Sequence, residues 1–156
     1  MKDKKGLQKV NPEVLVSSAI VCGILIAVLF VFRPLFYTND DVMLKALLSG
    51  NITGKPDGHL IYIMYPLGWM LKNLYTILPG ISWYDLFVTV VHILAYFVFM
   101  ISAGTFLKKC EKSVRCLGTV SLGLLFVIID LQYLILHQYT SLAATLAAVA
   151  LFAYLS

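Results

Sequence analysis

An uncharged apolar stretch near the start of the chain limits the folds open to it. No charged residue occurs from Val14 to Phe32, a run of 19 residues. At a helical rise of about 1.5 Å per residue, this run matches the roughly 30 Å hydrocarbon core of a bilayer. The motif NPE at positions 11–13 is typical of a helix start, with a capping residue and a proline in the first turn. Because a cleaved signal peptide has a shorter apolar core of about 7–15 residues and a small-residue cleavage site, we predict a retained membrane-spanning helix instead.

The rest of the chain is also rich in apolar residues. The sequence is 60% hydrophobic and 13% charged, whereas soluble domains average roughly 45–50% apolar and 25% charged residues. This composition predicts an all-α, polytopic membrane protein that forms one membrane domain over residues 1–156, with about four transmembrane helices. The predicted spans are Val14–Phe32, Tyr84–Leu107, Cys116–Leu136 and Thr140–Leu155. A long first outer loop, residues 33–83, separates the first two spans and should contain short amphipathic or interfacial helices.

Basic residues cluster in two places, and their positions predict the orientation of the chain. One cluster lies in the first ten residues and the other in the segment 108–115, KKCEKSVR. Cytoplasmic loops of membrane proteins carry such clusters of lysine and arginine. A rival interpretation makes His59–Leu78 a further span, but it would put the basic segment on the outer side. We therefore predict an interfacial His59–Leu78 and a cytoplasmic N-terminus. The expected location is the plasma (inner) membrane of a bacterium, as a multi-pass protein whose partner is the lipid bilayer and not nucleic acid.

The last apolar segment runs to Ser156 without a charged flank. Membrane helices usually carry such anchors where they meet the interface. We therefore expect this chain to be an N-terminal fragment of a larger protein, and the alternative is a small complete subunit.

The outer loop opens with an acidic pair, Asp40-Asp41, beside a short helix predicted over Asp41–Ser49. The polar residues at positions 38 and 39 can cap this helix, and Gly50 suits the left-handed position after its end. Carboxylates at a helix start are stabilised by about 0.3–1 kcal/mol through the helix dipole, so one acidic residue here needs no function. Two adjacent carboxylates beside a membrane can also act as a general base toward a hydroxyl or hold a divalent cation. Both roles suit transfer from a phosphate-linked donor.

Three short motifs follow the acidic pair: LLSG at 47–50, PDGH at 56–59 and YPLG at 65–68. Together with the flanking apolar segments, residues 14–107 resemble the opening of the GT-C superfamily of polytopic glycosyltransferases, which includes the protein O-mannosyltransferases and the aminoarabinose transferases of lipid A. The resemblance implies a sugar donor linked to polyprenyl phosphate, an acceptor at the extracytoplasmic face, and catalysis by the first acidic residue of the outer loop. The family pair is often Asp-Glu, whereas this chain has Asn39-Asp40-Asp41, which leaves open which aspartate is catalytic.

Six other polar residues are candidates for substrate contacts. They are Lys55, Asp57, His59, Asp130, His137 and Gln138. In the outer loop, a lysine and a histidine beside an aspartate suit a phosphate or acceptor contact, although a solvated loop explains them equally well. Gln138 opens the fourth span among hydroxyl-bearing neighbours, where it can line a sugar site or cap a helix.

Asp130 has the strongest physical argument for a function among these candidates. An aspartate costs about 2.5–3.5 kcal/mol at the centre of a membrane helix on insertion scales. His137, seven residues further on, falls on the same face of a continuing helix and is its predicted partner. A structural polar contact between helices is the alternative, and the same choice applies to His92 in the second span.

Several enzyme classes have no support in the sequence, which lacks HExxH, Walker, GxSxG and dinucleotide-binding motifs. The three cysteines have no metal-ligand spacing. The hypothesis favoured by the sequence is therefore a membrane glycosyltransferase. The alternatives are a transporter or flippase element built around Asp130 and His92, an assembly subunit, and a truncated product without activity.

Overall fold

The structure is a computed structural model that describes residues 12–31, 35–36 and 39–156. Within these ranges, the description does not extend to the side chains of residues 13, 17, 29, 35, 36, 39, 134 and 137. The capping residues predicted at positions 11 and 38 lie outside the described residues, as does the predicted end of the first span at Phe32.

The described part of the chain is all-helical apart from one two-residue strand pair, which confirms the predicted class. The helices are α1 (Pro12–Val31), α2 (Asn39–Ser49), α3 (Tyr65–Ile77), α4 (Trp83–Phe106), α5 (Lys112–Ile135) and α6 (Tyr139–Leu155). The strands are β1 (Leu35–Phe36) and β2 (Leu136–His137), which pair in parallel. The bounds of α4, α5 and α6 fall within four residues of the predicted apolar segments, because turn residues and charges interrupt the apolar runs at those points.

Two helices of the described chain are long and apolar enough to cross a membrane. They lie over Trp83–Phe106 and Lys112–Tyr133, and 24 helical residues extend about 36 Å. The 17-residue α6 is apolar but shorter. By contrast, α3 has 13 residues, or roughly 20 Å, and begins with a proline in its first turn. The helix within the segment 59–78 is therefore shorter than a spanning helix, and the interfacial position of this segment stays a prediction.

The strand pair and close contacts between helices determine the topology. Leu35 pairs with Leu136, so the end of α1 lies beside the end of α5. A Cβ atom built on Gly104, near the end of α4, would lie 2.2 Å from Val14 Cγ2, near the start of α1. Accordingly, α1 and α5 run in one direction and α4 runs in the other. The ring of Phe152 in α6 lies 5.1 Å from that of Phe99 in α4.

At one end of the bundle, α1 and α5 end and α4 and α6 begin. We call this the site end. Its apolar cluster joins α2, α3, α4 and α6. The buried members are Leu44, Leu48, Leu60, Ile63, Leu71, Tyr75, Tyr84, Val88 and Leu142. A second cluster joins α1, α4 and α5 and consists of Val21, Leu25, Tyr96, Met100 and Val127.

The segment after α2 returns to the bundle through glycines. Gly50 has φ +80°, so the predicted left-handed residue after α2 is confirmed. A Cβ atom there would lie 2.6 Å from the backbone carbon of Lys55, so the turn has no room for a side chain. Gly58 and Gly68 also touch backbone to backbone, since a Cβ atom on Gly68 would lie 2.3 Å from the Gly58 carbonyl oxygen. These contacts hold the loop against α3 at the site end.

Candidate functional site

The acidic pair lies in the first turn of α2, and its two members have different surroundings. Asp40 is exposed, whereas Asp41 is only 2% exposed. Successive residues of a helix point about 100° apart, so only one of two neighbours can face the bundle. The structure thus distinguishes two carboxylates that are equivalent in the sequence.

The carboxylate of Asp41 connects three helices. Its Oδ1 atom accepts a hydrogen bond from the Tyr84 hydroxyl at 2.6 Å and another from the backbone N–H of Tyr139 at 2.9 Å. The second donor belongs to the first turn of α6, where backbone N–H groups have no partner inside the helix. A carboxylate at this position also interacts favourably with the dipole of α6. Asp41 therefore caps a helix that begins 98 residues further along the chain.

A second tyrosine extends this network to α3. The backbone N–H of Tyr84, at the start of α4, donates to the hydroxyl of Tyr75 at 3.1 Å, and both side chains are buried. Four helices of the site end therefore meet through Asp41 and two tyrosines. The sequence indicates neither tyrosine as a site residue, because aromatic residues at the ends of apolar segments are ordinary interface anchors.

A cavity of about 280 Å³ adjoins the acidic pair. It is lined by Asp40, Asp41, Leu44, Tyr62, Gln138, Tyr139 and Thr140. Its volume is near the lower end of the roughly 300–1,000 Å³ found for small-molecule sites. Carboxylate, phenol, amide and hydroxyl groups together can donate and accept hydrogen bonds, which suits a ligand with several hydroxyl groups.

Three residues predicted from the sequence meet at this cavity. They are Asp40, Asp41 and Gln138, contributed by the start of α2 and the residue before α6. The Oε1 atom of Gln138 accepts a hydrogen bond from Ser141 Oγ at 2.6 Å, while its side chain forms no cap bond to the backbone of α6. Gln138 therefore lies at the cavity wall and not in a side-chain cap of α6.

The predicted loop residues form a separate group that does not line this cavity. The backbone N–H of His59 donates to Asp57 Oδ1 at 2.9 Å, and His59 Nδ1 lies 2.8 Å from the same oxygen. The backbone hydrogen bond from His59, followed by the bond from its ring, lowers the pKa of the exposed Asp57 carboxyl. Lys55 is exposed, and its carbonyl accepts a hydrogen bond from Thr53.

Asp130 lies in a different place from the acidic pair, buried between α4, α5 and α6. The Tyr96 hydroxyl donates to Oδ2 and the Thr145 hydroxyl to Oδ1, each at 3.1 Å, and His92 Nε2 lies 3.4 Å from Oδ2. The prediction that His137 shares a helical face with Asp130 is wrong, because α5 ends at Ile135 and the next two residues form β2. The side chain of His137 lies outside the described residues.

An ion pair that the sequence does not indicate connects α2 to the start of α4 at the site end. The Lys45 ammonium of α2 lies 2.7 Å from Asp85 Oδ2 at the start of α4, and Ser82 Oγ donates to the same oxygen. Both charged side chains are about one third exposed, and such pairs contribute roughly 0–1 kcal/mol. The ion pair therefore connects α2 to α4 but adds little to the stability of the fold.

The side chains around the acidic pair do not form a metal site by themselves. Across the residues that the structure describes, no group of three or more His, Cys, Asp or Glu side chains is suited to a metal ion. Calcium and magnesium take six or more oxygen ligands, whereas one oxygen of Asp41 already accepts two hydrogen bonds. The divalent cation at Asp40 and Asp41 stays a prediction.

Comparison with known proteins identifies no relative. No protein-family model, no curated protein and no solved structure matches this chain. The residues of the site and their geometry are therefore the basis for assigning a function.

Proposed function

We propose that this chain is a membrane glycosyltransferase of the GT-C kind, which transfers a sugar from a polyprenyl-phosphate donor to an acceptor hydroxyl at the extracytoplasmic face. The main support for the proposal is that the two adjacent carboxylates, Asp40 and Asp41, have different surroundings. One is exposed in a cavity, and its neighbour is buried and hydrogen-bonded to two other helices.

In this proposal α1, α4, α5 and α6 are four spans that alternate in direction. The site end is then at one membrane surface, and the turn between α4 and α5 is at the other. That turn belongs to the basic segment 108–115, which the positive-inside rule assigns to the cytoplasm. The same rule then assigns the acidic pair to the extracytoplasmic side and the N-terminus of α1 to the cytoplasmic side.

Asp40 is the general base of the proposed reaction. Its carboxylate takes the proton of the acceptor hydroxyl while the hydroxyl oxygen forms a bond to the anomeric carbon. The bond between that carbon and the phosphate oxygen breaks, and its electron pair leaves with the polyprenyl phosphate. An exposed carboxylate suits this role because the base must reach the proton that it removes.

Asp41 is a positioning residue in this scheme. Its hydrogen bonds to Tyr84 and to the backbone of Tyr139 hold the first turn of α2 in place and, with it, the adjacent Asp40. Around them, Tyr62, Gln138 and Thr140 supply hydrogen-bonding groups for the sugar hydroxyls. In the exposed loop, Lys55 and His59 remain the proposed contacts for the donor phosphate.

The test compares single carboxylate-to-amide variants in the assay of sugar transfer from a polyprenyl-phosphate donor. Asp40→Asn should lower the rate about 100-fold or more, which is the usual contribution of a general base, while helical content is retained. Glu111→Gln is the matched control, because Glu111 is an exposed acidic residue at the opposite end of the bundle. Full activity of Asp40→Asn would refute the catalytic role.

A transporter or flippase element is the second candidate function, and one observation favours it. Asp130 and His92 are both buried in the middle of the helix bundle, and ionisable residues inside membrane helices commonly mark transport pathways. In a transporter, Asp130→Asn should abolish lipid or solute movement across proteoliposomes, and Asp40→Asn should not. The glycosyltransferase proposal expects the opposite ranking in the transfer assay.

A further inference from the structure

The basic segment 108–115 connects two helices of membrane-spanning length, at the end of the bundle opposite the acidic pair. It begins after the end of α4 and runs into the first turn of α5. The backbone N–H of Lys108 donates to the Thr105 carbonyl at 3.1 Å. The N–H of Cys110 donates to the Leu107 carbonyl at 2.9 Å. These two bonds close a tight turn, so the lysines of the segment lie at a defined place between α4 and α5.

The segment presents an excess of positive charge on the surface. It contains four cationic side chains and one carboxylate, that of Glu111. Lys108, Lys109 and Lys112 are exposed. Among the described residues, no ion pair forms with Lys108 or Lys109. The start of α5 adds the positive end of a helix dipole at the same place. Because charge of one sign concentrated on a surface attracts ligands of the opposite sign, the segment suits an anionic partner.

Exposed apolar side chains flank the lysines on both helices. Phe106, at the end of α4, is 60% exposed, and Val114 and Leu117 of α5 are 52% and 71% exposed. Leu117 lies five residues after Lys112, or roughly 8 Å along the helix axis. Cationic and apolar groups at this separation match the headgroup layer and the adjoining hydrocarbon of one leaflet. An acidic protein would pair with the lysines but would leave these apolar side chains unexplained, so a lipid is the better match.

We propose that the segment 108–115 binds the headgroup of an anionic phospholipid, such as phosphatidylglycerol, in the leaflet at this end of the bundle. Lys108 and Lys109 contact the negatively charged headgroup, while Phe106 and Leu117 lie against the acyl chains. The net negative charge distinguishes this lipid from a zwitterionic one. The inference depends on α4 and α5 crossing a bilayer and not on sugar transfer.

The test measures the binding of phosphatidylglycerol, labelled with a fluorophore on an acyl chain, to the whole chain in micelles of an uncharged detergent. Fluorescence anisotropy gives the dissociation constant, and phosphatidylcholine with the same acyl chains and label is the zwitterionic reference. We expect phosphatidylglycerol to bind tighter by roughly fivefold for each lysine in contact, since a basic residue near anionic lipid contributes about 1 kcal/mol. Equal dissociation constants for the two lipids, as an acidic protein partner would predict, would overturn the proposal.

Charge variants test whether the lipid binds at this turn. Lys108→Gln combined with Lys109→Gln should raise the dissociation constant for phosphatidylglycerol about 25-fold and leave that for phosphatidylcholine unchanged. Lys108→Arg combined with Lys109→Arg keeps the charge and should retain tight binding. Lys55→Gln is the control for net charge and is compared with Lys109→Gln, because Lys55 is also an exposed lysine but lies in the loop at the site end. Equal losses of affinity in these two single variants would refute a site at the α4–α5 turn.

Salt and inorganic phosphate distinguish a lipid site from a site for any anion. Raising sodium chloride from about 0.1 M to about 1 M shortens the Debye length from about 10 Å to about 3 Å, so binding of phosphatidylglycerol should weaken. Millimolar inorganic phosphate at constant ionic strength should not displace the lipid, because it has no acyl chain to contact the apolar flanks. Displacement would refute the assignment to a lipid. Since no measurement here needs transfer activity, failure of this proposal is distinguishable from failure of the glycosyltransferase proposal.

Discussion

Removal of the Tyr84 hydroxyl is the most direct test of the geometry at the site end. The variant Tyr84→Phe keeps the buried ring and deletes the donor that lies 2.6 Å from Asp41 Oδ1. Hydrogen bonds to charged groups contribute about 1.5–3 kcal/mol, and short charge-assisted bonds are the stronger ones. Because the Tyr139 N–H remains on the same oxygen, the carboxylate keeps one described donor. We therefore expect a loss of about 1.5–2 kcal/mol in the free energy of unfolding.

The measurement is a double-mutant cycle of Tyr84→Phe and Asp41→Asn, with unfolding in detergent micelles followed by circular dichroism. A coupling energy above about 1 kcal/mol would match the structure, since residues in direct contact couple by about 0.5–3 kcal/mol. The matched control is Tyr154→Phe, because Tyr154 is 87% exposed and the change should cost almost nothing. If the effects of the two site variants on the free energy of unfolding are additive, the hydrogen bond is refuted. If Tyr84→Phe and Tyr154→Phe lose the same free energy of unfolding, the hydrogen bond does not contribute to stability.

Two helical glycines and the outer loop give further predictions. Gly104→Ala should cost about 1–3 kcal/mol of unfolding free energy, because the new Cβ atom would lie 2.2 Å from Val14 Cγ2. Gly23→Ala, with nothing within 4 Å of the added atom, should stabilise its helix by about 0.5–1 kcal/mol in the same denaturation experiment. Asp57 should titrate below its ordinary value of 3.8 in a carboxyl NMR titration, because the His59 N–H stabilises the carboxylate. Its contribution to loop order is therefore complete at neutral pH and is lost on acidification through that lowered pKa; an unshifted titration would contradict the bond.

Much of the secondary structure could be predicted because its signals are local. The length of an apolar run and the residues that interrupt it predict where α4, α5 and α6 begin and end. Gly50 marks the end of α2 for an equally local reason, since a φ of +80° suits a residue without a side chain. The prediction for His137 was wrong because it relied on a local pattern of the same kind. Helical periodicity was extended beyond Ile135, where the helix ends.

The composition of the cavity could be predicted only in part. Asp40, Asp41 and Gln138 were candidates because of their residue types and their positions beside apolar segments. Tyr62, which lines the cavity, and Tyr84, which donates to Asp41 beside it, are not candidates from the sequence. An aromatic residue near an apolar helix already has a sufficient role as an interface anchor. Their roles depend on which residues they contact once the helices have packed together.

The helical segments, the glycine turn after α2 and the clustering of basic residues away from the acidic pair all follow from the order of residues along the chain, because each depends on close neighbours. The inward orientation of Asp41 beside an exposed Asp40, and the pairing of Asp130 with His92 in place of His137, became apparent only in the packed bundle. These features escape local patterns because a buried carboxylate takes its partners from whichever helices pack against it. For Asp41 these partners are 43 and 98 residues away.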